Sequence, residues 1–142
     1  MSLEADIKRF GLECGLDLVA IGPAQAYLRA QKILEERRRA GMYPHFTERD
    51  IDLRCQPERI LPGARSVIAG AVSYLTRHRP RGSVAGRPRG TLSRYAWGLD
   101  YHRILRERLE KLAAYVQQRL GGSVDYQIHV DTGPPIKREV AA

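Results

Sequence analysis

The feature that most constrains this chain is a run in which Tyr101, Ile104, Leu105, Leu109, Leu112, Ala113, Val116 and Leu120 recur at helical spacing. Apolar residues three and four positions apart share one helix face, so the run predicts a long amphipathic helix. Asp100 stands where an N-cap carboxylate would accept a backbone N–H, and Gly121-Gly122 supplies the stop. A helix with one apolar stripe needs a neighbour to cover it, so the remainder of the chain must supply a packing layer.

The other elements alternate in type. Leu3, Ile7, Phe10 and Cys14 share a helix face, which predicts a helix over 3–14 with Ser2 as N-cap and Gly15 beyond its end. Residues 16–22 are apolar and rich in β-branched side chains, and they read as a buried strand ended by Gly22-Pro23. A second helix follows over about 25–40. Its last turn carries Arg37, Arg38 and Arg39 before Gly41, and cations near the negative end of a helix dipole account for them. Residues 66–73 predict a central strand and 124–130 a further one. The turn Asp131-Thr132-Gly133-Pro134-Pro135 then leads into a new helix begun at Lys137. Residues 42–63 have no sustained period and hold Pro44, Pro57 and Pro62, so a long irregular connection with one helical turn is expected. Residues 76–90 are dense in Arg, Gly and Pro and predict a mobile segment. Strands separated by helices make an α/β layer arrangement.

Composition narrows the classes of function. The 142 residues suit one domain, and 24 Lys plus Arg against 16 Asp plus Glu leave a formal charge of +8. Such a balance favours a polyanionic partner, because Lys and Arg neutralise phosphates. The two cysteines, Cys14 and Cys55, form neither a C-x-x-C pair nor a disulfide framework, which argues against a zinc or iron–sulfur site built by this chain. Nothing approaches the roughly 20 apolar residues of a membrane span, and the N-terminus is unlike a signal peptide, so a cytoplasmic protein is expected. Neither a G-x-S-x-G elbow nor a phosphate-binding G-x-x-x-x-G-K-S/T loop occurs.

Three groups of residues could carry chemistry. Asp131 falls at the end of an expected strand, where α/β proteins often place site residues, although a carboxylate there also serves to cap the following turn or helix. The stretch from Arg94 to His102 concentrates Tyr95, Trp97, Tyr101 and His102 just before the long helix. Those rings could hold a planar ligand or simply pack in the core. The run Arg77-His78-Arg79-Pro80-Arg81, with Arg87 and Arg89, could contact phosphates or form a solvated face.

Three ordered blocks resemble the epoxyqueuosine reductase family. They are Asp52-Leu53-Arg54 running through Ile60-Leu61-Pro62-Gly63-Ala64-Arg65-Ser66-Val67-Ile68, then Trp97-Gly98-Leu99-Asp100-Tyr101-His102, then Val130-Asp131-Thr132-Gly133. The resemblance spans nearly the whole chain and corresponds to the N-terminal part of that family. It implies an α/β (α+β) sandwich with a mixed β-sheet packed with helices. Residues 1–142 would form the N-terminal cobalamin-binding and catalytic portion, ending before the rest of the catalytic domain and the 4Fe–4S domain.

The implied reaction reduces epoxyqueuosine to queuosine in tRNA, with electrons passing through two 4Fe–4S clusters to cobalamin. By the resemblance, Asp131 is the proton donor and a cofactor contact, and Arg54 and Ser93 are further cobalamin contacts. A donor must hold its proton near neutral pH, so its pKa should lie above the roughly 3.9 of a free Asp, as burial against the corrin would achieve. The cluster ligands of the family are absent from this chain, so the portion alone is expected to bind cobalamin poorly and not to turn over. Two alternatives stand beside this reading: a non-catalytic basic RNA-binding α/β module, and another cobalamin-dependent reductase related to the reductive dehalogenases.

Overall fold

A computed structural model describes residues 2–75, 86, 90 and 92–140. Apart from Gly86 and Gly90, the arginine-rich segment expected to be mobile lies outside the described residues. Helix α1 spans Leu3–Glu13 and begins where the Ser2 hydroxyl accepts the Ala5 N–H at 3.3 Å. Strand β1 (Leu18–Pro23) follows, then α2 (Leu28–Arg39), which ends in a turn through Gly41 at φ +69°. Two short helices come next, α3 (Ile51–Cys55) and α4 (Pro57–Ile60), then strand β2 (Ser66–Ala71). Helix α5 spans Tyr101–Arg119 and α6 spans Lys137–Val140.

The long helix forms as its pattern demands. The Asp100 carboxylate accepts the His102 N–H at 2.9 Å, and Gly121 and Gly122 stop the helix at φ +88° and +89°, a region that costs a side-chain-bearing residue. Its stripe packs on α1 and the sheet. Leu112 is buried with Ile7 and Leu16, and Phe10, Val19, Ile21, Ile68, Leu105, Leu109 and Val116 close around them. Phe10 and Tyr115 stack with centroids 4.0 Å apart, and Arg119 reaches from α5 to the buried Asp6 carboxylate on α1 at 2.9 Å. A second cluster joins Ala30 of α2 to Ile51 and Cys55 of α3, with Tyr43 and Ile136 against it.

The α/β class holds, but the sheet differs in detail from the expectation. β1 and β2 pair antiparallel, with Leu18 opposite Ala71 and Pro23 opposite Ser66, and they are the two strands among the described residues. Among the described residues the sheet is this antiparallel pair, with neither strand central. The segment expected as a strand over 124–130 carries no ladder. A hollow of about 850 Å³, lined by residues of α1, β2 and α5 and by Val124 to His129, lies between that segment and β2. Ladder bonds need backbones about 4.8 Å apart, so the segment is held through side chains instead. Gln117 Nε2 donates to the Val124 carbonyl at 2.7 Å, and Gln127 Nε2 to the Ile60 carbonyl at 3.0 Å. The connection over 42–63 also holds two helices where one turn was expected. Asp50 starts the first by accepting the Leu53 N–H at 2.9 Å, and Pro57 opens the second without losing a needed donor.

Candidate active site

Two parts of the chain distant in sequence meet at Asp131. Val130 is buried, and directly after it the backbone turns out at Asp131 with φ +50°, the one positive φ of a non-glycine residue among those described. Asp tolerates that left-handed region better than most residues because its short polar side chain bonds locally. The turn lets the Asp131 carboxylate meet the first residue of α5. Tyr101 Oη donates to Asp131 Oδ2 at 2.6 Å, and Lys137 Nζ at the start of α6 lies 3.3 Å from Oδ1 and also donates to the Asp131 carbonyl.

These partners decide the charge of the site. The Tyr101 hydrogen bond, the Lys137 hydrogen bond and the Lys137 charge hold the Asp131 carboxyl below its usual range. The same bond to the carboxylate pushes the Tyr101 hydroxyl up to about 12. At neutral pH the proton therefore sits on the phenol and the uncovered Asp131 is an anion, whereas the raised pKa was expected for a carboxyl buried against the corrin. The physical reason is exposure. The Asp131 side chain is 60% exposed, so desolvation, the effect that would raise it, is outweighed by two donors. Among the described residues the carboxylate's partners are the Tyr101 and Lys137 side chains, and α6 begins six residues later.

The aromatic stretch before α5 is a surface feature rather than core packing. Tyr95 meets Tyr101 edge-on at 5.8 Å, Tyr74 meets Tyr95 edge-on at 6.3 Å, and His102 stacks on Tyr101 at 4.1 Å. Tyr74 is 63% exposed and Tyr95 is 51% exposed. Trp97 is also exposed, its Nε1 donating to the Leu92 carbonyl at 3.1 Å. A row of tyrosine rings open to solvent thus leads to the carboxylate.

The other two expected contacts lie on other elements. Ser93 is exposed at the N-cap of the short 3-10 turn Arg94–Ala96, two residues before Tyr95. Arg54 lies on α3, where its carbonyl accepts the Ile136 N–H at 3.3 Å and so ties down the far end of the Asp131 turn. Its guanidinium donates to the Tyr43 hydroxyl at 2.9 Å. On the inner side, His129 lines the hollow with its Nε2 buried and without a hydrogen-bond partner, and burial pushes its pKa down. Sequence reasoning singled out the aromatic stretch but not the bond from Tyr101 to Asp131. Their separation of 30 residues leaves no local signal, and the roles of Lys137 and His129 were likewise missed.

Among the described residues an antiparallel pair carries helices in an α/β arrangement, with a polar aspartate–tyrosine–lysine cluster and an open hollow. The family model described as "Epoxyqueuosine reductase QueG, DUF1730" matches residues 54–132, more than half of the chain. The chain belongs to the epoxyqueuosine reductase family. It is 38% identical over 141 residues to the epoxyqueuosine reductase of Staphylococcus aureus, covering 98% of this chain and 37% of that protein. Among solved structures, an epoxyqueuosine reductase with an epoxyqueuosine-modified tyrosine tRNA stem loop superposes with a TM-score of 0.86 at 30% identity. That match covers 98% of this chain and 37% of the other. A Bacillus subtilis epoxyqueuosine reductase, described with its catalytic aspartate loop swung out of the active site, gives 0.79 at 28% identity over the same shares. The chain therefore spans a little over a third of the length of these relatives.

Proposed function

We propose that this chain forms the N-terminal, cobalamin-binding and catalytic portion of an epoxyqueuosine reductase, an oxidoreductase that converts epoxyqueuosine to queuosine in tRNA. The observation that carries the reading is Asp131, turned outward at positive φ beside a row of exposed tyrosines, within the span that matches the family model. The side chains in question suit a large planar group rimmed by amides and a phosphate. The Tyr95 and Tyr74 rings offer apolar area, the Ser93 hydroxyl is exposed, and the Arg54 guanidinium keeps N–H donors beyond the one given to Tyr43. Ser93, Arg54 and Asp131 would hold cobalamin, which when bound supplies the reducing electrons at the substrate carbon.

This chain's own contribution is the proton. Opening an epoxide reductively puts negative charge on its oxygen, and an acid at that oxygen lowers the barrier. In this reading Asp131 gives it. In the exposed form the carboxylate is ionised, and covering it with cofactor and substrate removes the solvent that stabilises the anion, which raises its proton affinity. Among the described residues no group of three or more His, Cys, Asp or Glu is placed to hold a metal ion, and none of their helices is long and apolar enough to cross a membrane. Two 4Fe–4S clusters would have to be held outside residues 1–142, so the portion alone is expected not to turn over. The family resemblance and the net charge of +8 both suit a tRNA substrate.

The test is a chimera in which this chain replaces the matching N-terminal third of the Staphylococcus aureus reductase, purified without oxygen. Corrinoid and iron–sulfur absorption bands and turnover of epoxyqueuosine tRNA are expected together. Asp131→Asn should keep the corrinoid band and lose turnover by about a hundredfold or more, the usual scale for a missing general acid. Full turnover by that variant would remove Asp131 from the mechanism, and tRNA binding without either chromophore would favour an RNA-binding module.

A further inference from the structure

The turn that carries Asp131 is anchored to the rest of the fold at its two ends, and between them it is held by local bonds, the Lys137 ammonium on the Asp131 carbonyl among them. Val130 is buried at one end, and the Ile136 N–H bonds to Arg54 at the other. Between these points, the backbone bond among the described residues is the short local one from the Thr132 N–H to the Val130 carbonyl at 2.5 Å, which the Thr132 hydroxyl joins at 3.1 Å. Gly133 packs so closely on His129 that a Cβ there would lie 2.6 Å from Nδ1, which seats the turn without orienting the carboxylate. The direction in which Asp131 points is thus left to its side-chain partners.

Those partners are unequal. Lys137 lies on the same stretch of chain, six residues on, and its Nζ is shared between the Asp131 carbonyl and the carboxylate, 3.3 Å away. Tyr101 belongs to α5, whose Leu112 is buried in the core and whose first turn is capped by Asp100. Its ring is fenced by Tyr95 on one side and His102 on the other. A hydroxyl held by a packed 19-residue helix is a fixed point, and the carboxylate 2.6 Å away takes its position from it.

The geometry points to Tyr101 as a positioning residue that sets where the Asp131 carboxylate stands, by latching it to the first turn of α5. The proposal rests on Asp131 being the acid of the reaction, but the latch is measurable without turnover. Charged or titratable groups facing the carboxylate are Tyr101 and His102 from α5 and Lys137 from α6.

The experiment uses the 142-residue chain labelled with 13C and 15N, comparing wild type with Tyr101→Phe and Lys137→Met by nuclear magnetic resonance. Wild type should show Overhauser contacts between the residue 101 ring and Asp131, with a carboxyl titration below the ordinary aspartate range. Tyr101→Phe removes one hydroxyl and keeps the ring, so the helix and the thermal midpoint should stay as they are. The ring-to-Asp131 contacts should weaken about fivefold, the scale of one hydrogen bond near the surface, and the Asp131 titration should move up. Lys137→Met should also move the titration up, because a charge is lost, yet leave the ring contacts in place. Unchanged ring contacts in Tyr101→Phe would overturn the latch, and so would their loss in Lys137→Met alone, which would assign the hold to Lys137. Neither result depends on the chimera. A turnover-competent Asp131→Asn would end the catalytic reading while leaving the latch measured, and a failed latch would leave the acid to be tested by its own variant.

Discussion

Replacing Gly11 by alanine sets two effects of known size against each other. Gly11 is buried in the last part of α1, where the helix crosses β1, and a Cβ built there lies 2.5 Å from Val19 Cγ2 and 3.6 Å from Leu16 Cδ1. Alanine in a helix interior is favoured over glycine by about 0.8–1 kcal/mol. Against this stands an overlap of about 1 Å with the usual carbon–carbon separation of roughly 3.5–4.0 Å. Val19 cannot swing clear easily, because it is β-branched and packs in the cluster around Leu16 and Ile7. Overpacking of this kind costs about 1–3 kcal/mol, so the clash wins and Gly11→Ala should destabilise the chain by about 1 kcal/mol net. For a chain of this length that is about 3 °C in thermal midpoint by circular dichroism. Adding Val19→Ala removes the clashing methyl. A double-mutant cycle should then show the pair less costly than the sum of the singles by about 1–2 kcal/mol. A single variant melting at or above wild type, or a strictly additive cycle, would refute the claim that α1 needs a glycine to approach β1.

Further consequences follow from the charged contacts. With seven tyrosines in the chain, ultraviolet difference titration should resolve one phenol ionising near pH 12, lost in Tyr101→Phe and returned toward the ordinary range in Asp131→Asn. The same bond links stability to pH with two signs. Tyr101 is raised in the folded chain, so its share is full below its unfolded value of about 10 and fades as pH rises through about 12. Asp131 is lowered, so its share is full above its unfolded value of about 3.9 and fades as pH falls through the folded one. Chemical denaturation across both windows checks the signs, and an acid limb unchanged in Asp131→Asn would contradict them. Asp6 is the buried charged residue among those described, and it holds Arg119 at 2.9 Å and Arg9 at 3.1 Å. Arg119→Met should cost about 1 kcal/mol or more, since Arg9 remains to pair the carboxylate, and Arg119→Met with Arg9→Met should cost more than the sum because Asp6 is then stranded. Urea midpoints for the three variants measure both.

Some of this molecule could be read from local pattern and some could not. Helix α5 was legible end to end, because a 3.6-residue period, an N-cap carboxylate and a glycine stop are local facts that hold whatever surrounds them. α1, β1, α2 and β2 were legible for similar reasons, to within a few residues at their ends. Residues 124–130 have a strand's composition, but a strand is a relation between two backbones. The hollow beside β2 leaves this segment without one to pair with. The pair of short helices over 51–60 was hidden because five and four residues are too few to show a period, while the Asp50 cap and the Pro57 at the first helical position decide them.

The site divides along the same line. Sequence alone marked Asp131, Arg54 and Ser93 through the resemblance, and it concentrated the rings just ahead of α5. It could not say that those rings face solvent, that Arg54 ties the Asp131 turn through its carbonyl, or that Asp131 is held as an anion. Each of these depends on which groups stand within a few ångströms, and hydrogen bonds and charge interactions fall off over that distance whatever the separation along the chain. Chemical identity is written residue by residue, so the kinds of group available were determined by the sequence. Their protonation, exposure and partners were decided only when α5 packed on α1 and β1 and brought Tyr101 to a carboxylate 30 residues away.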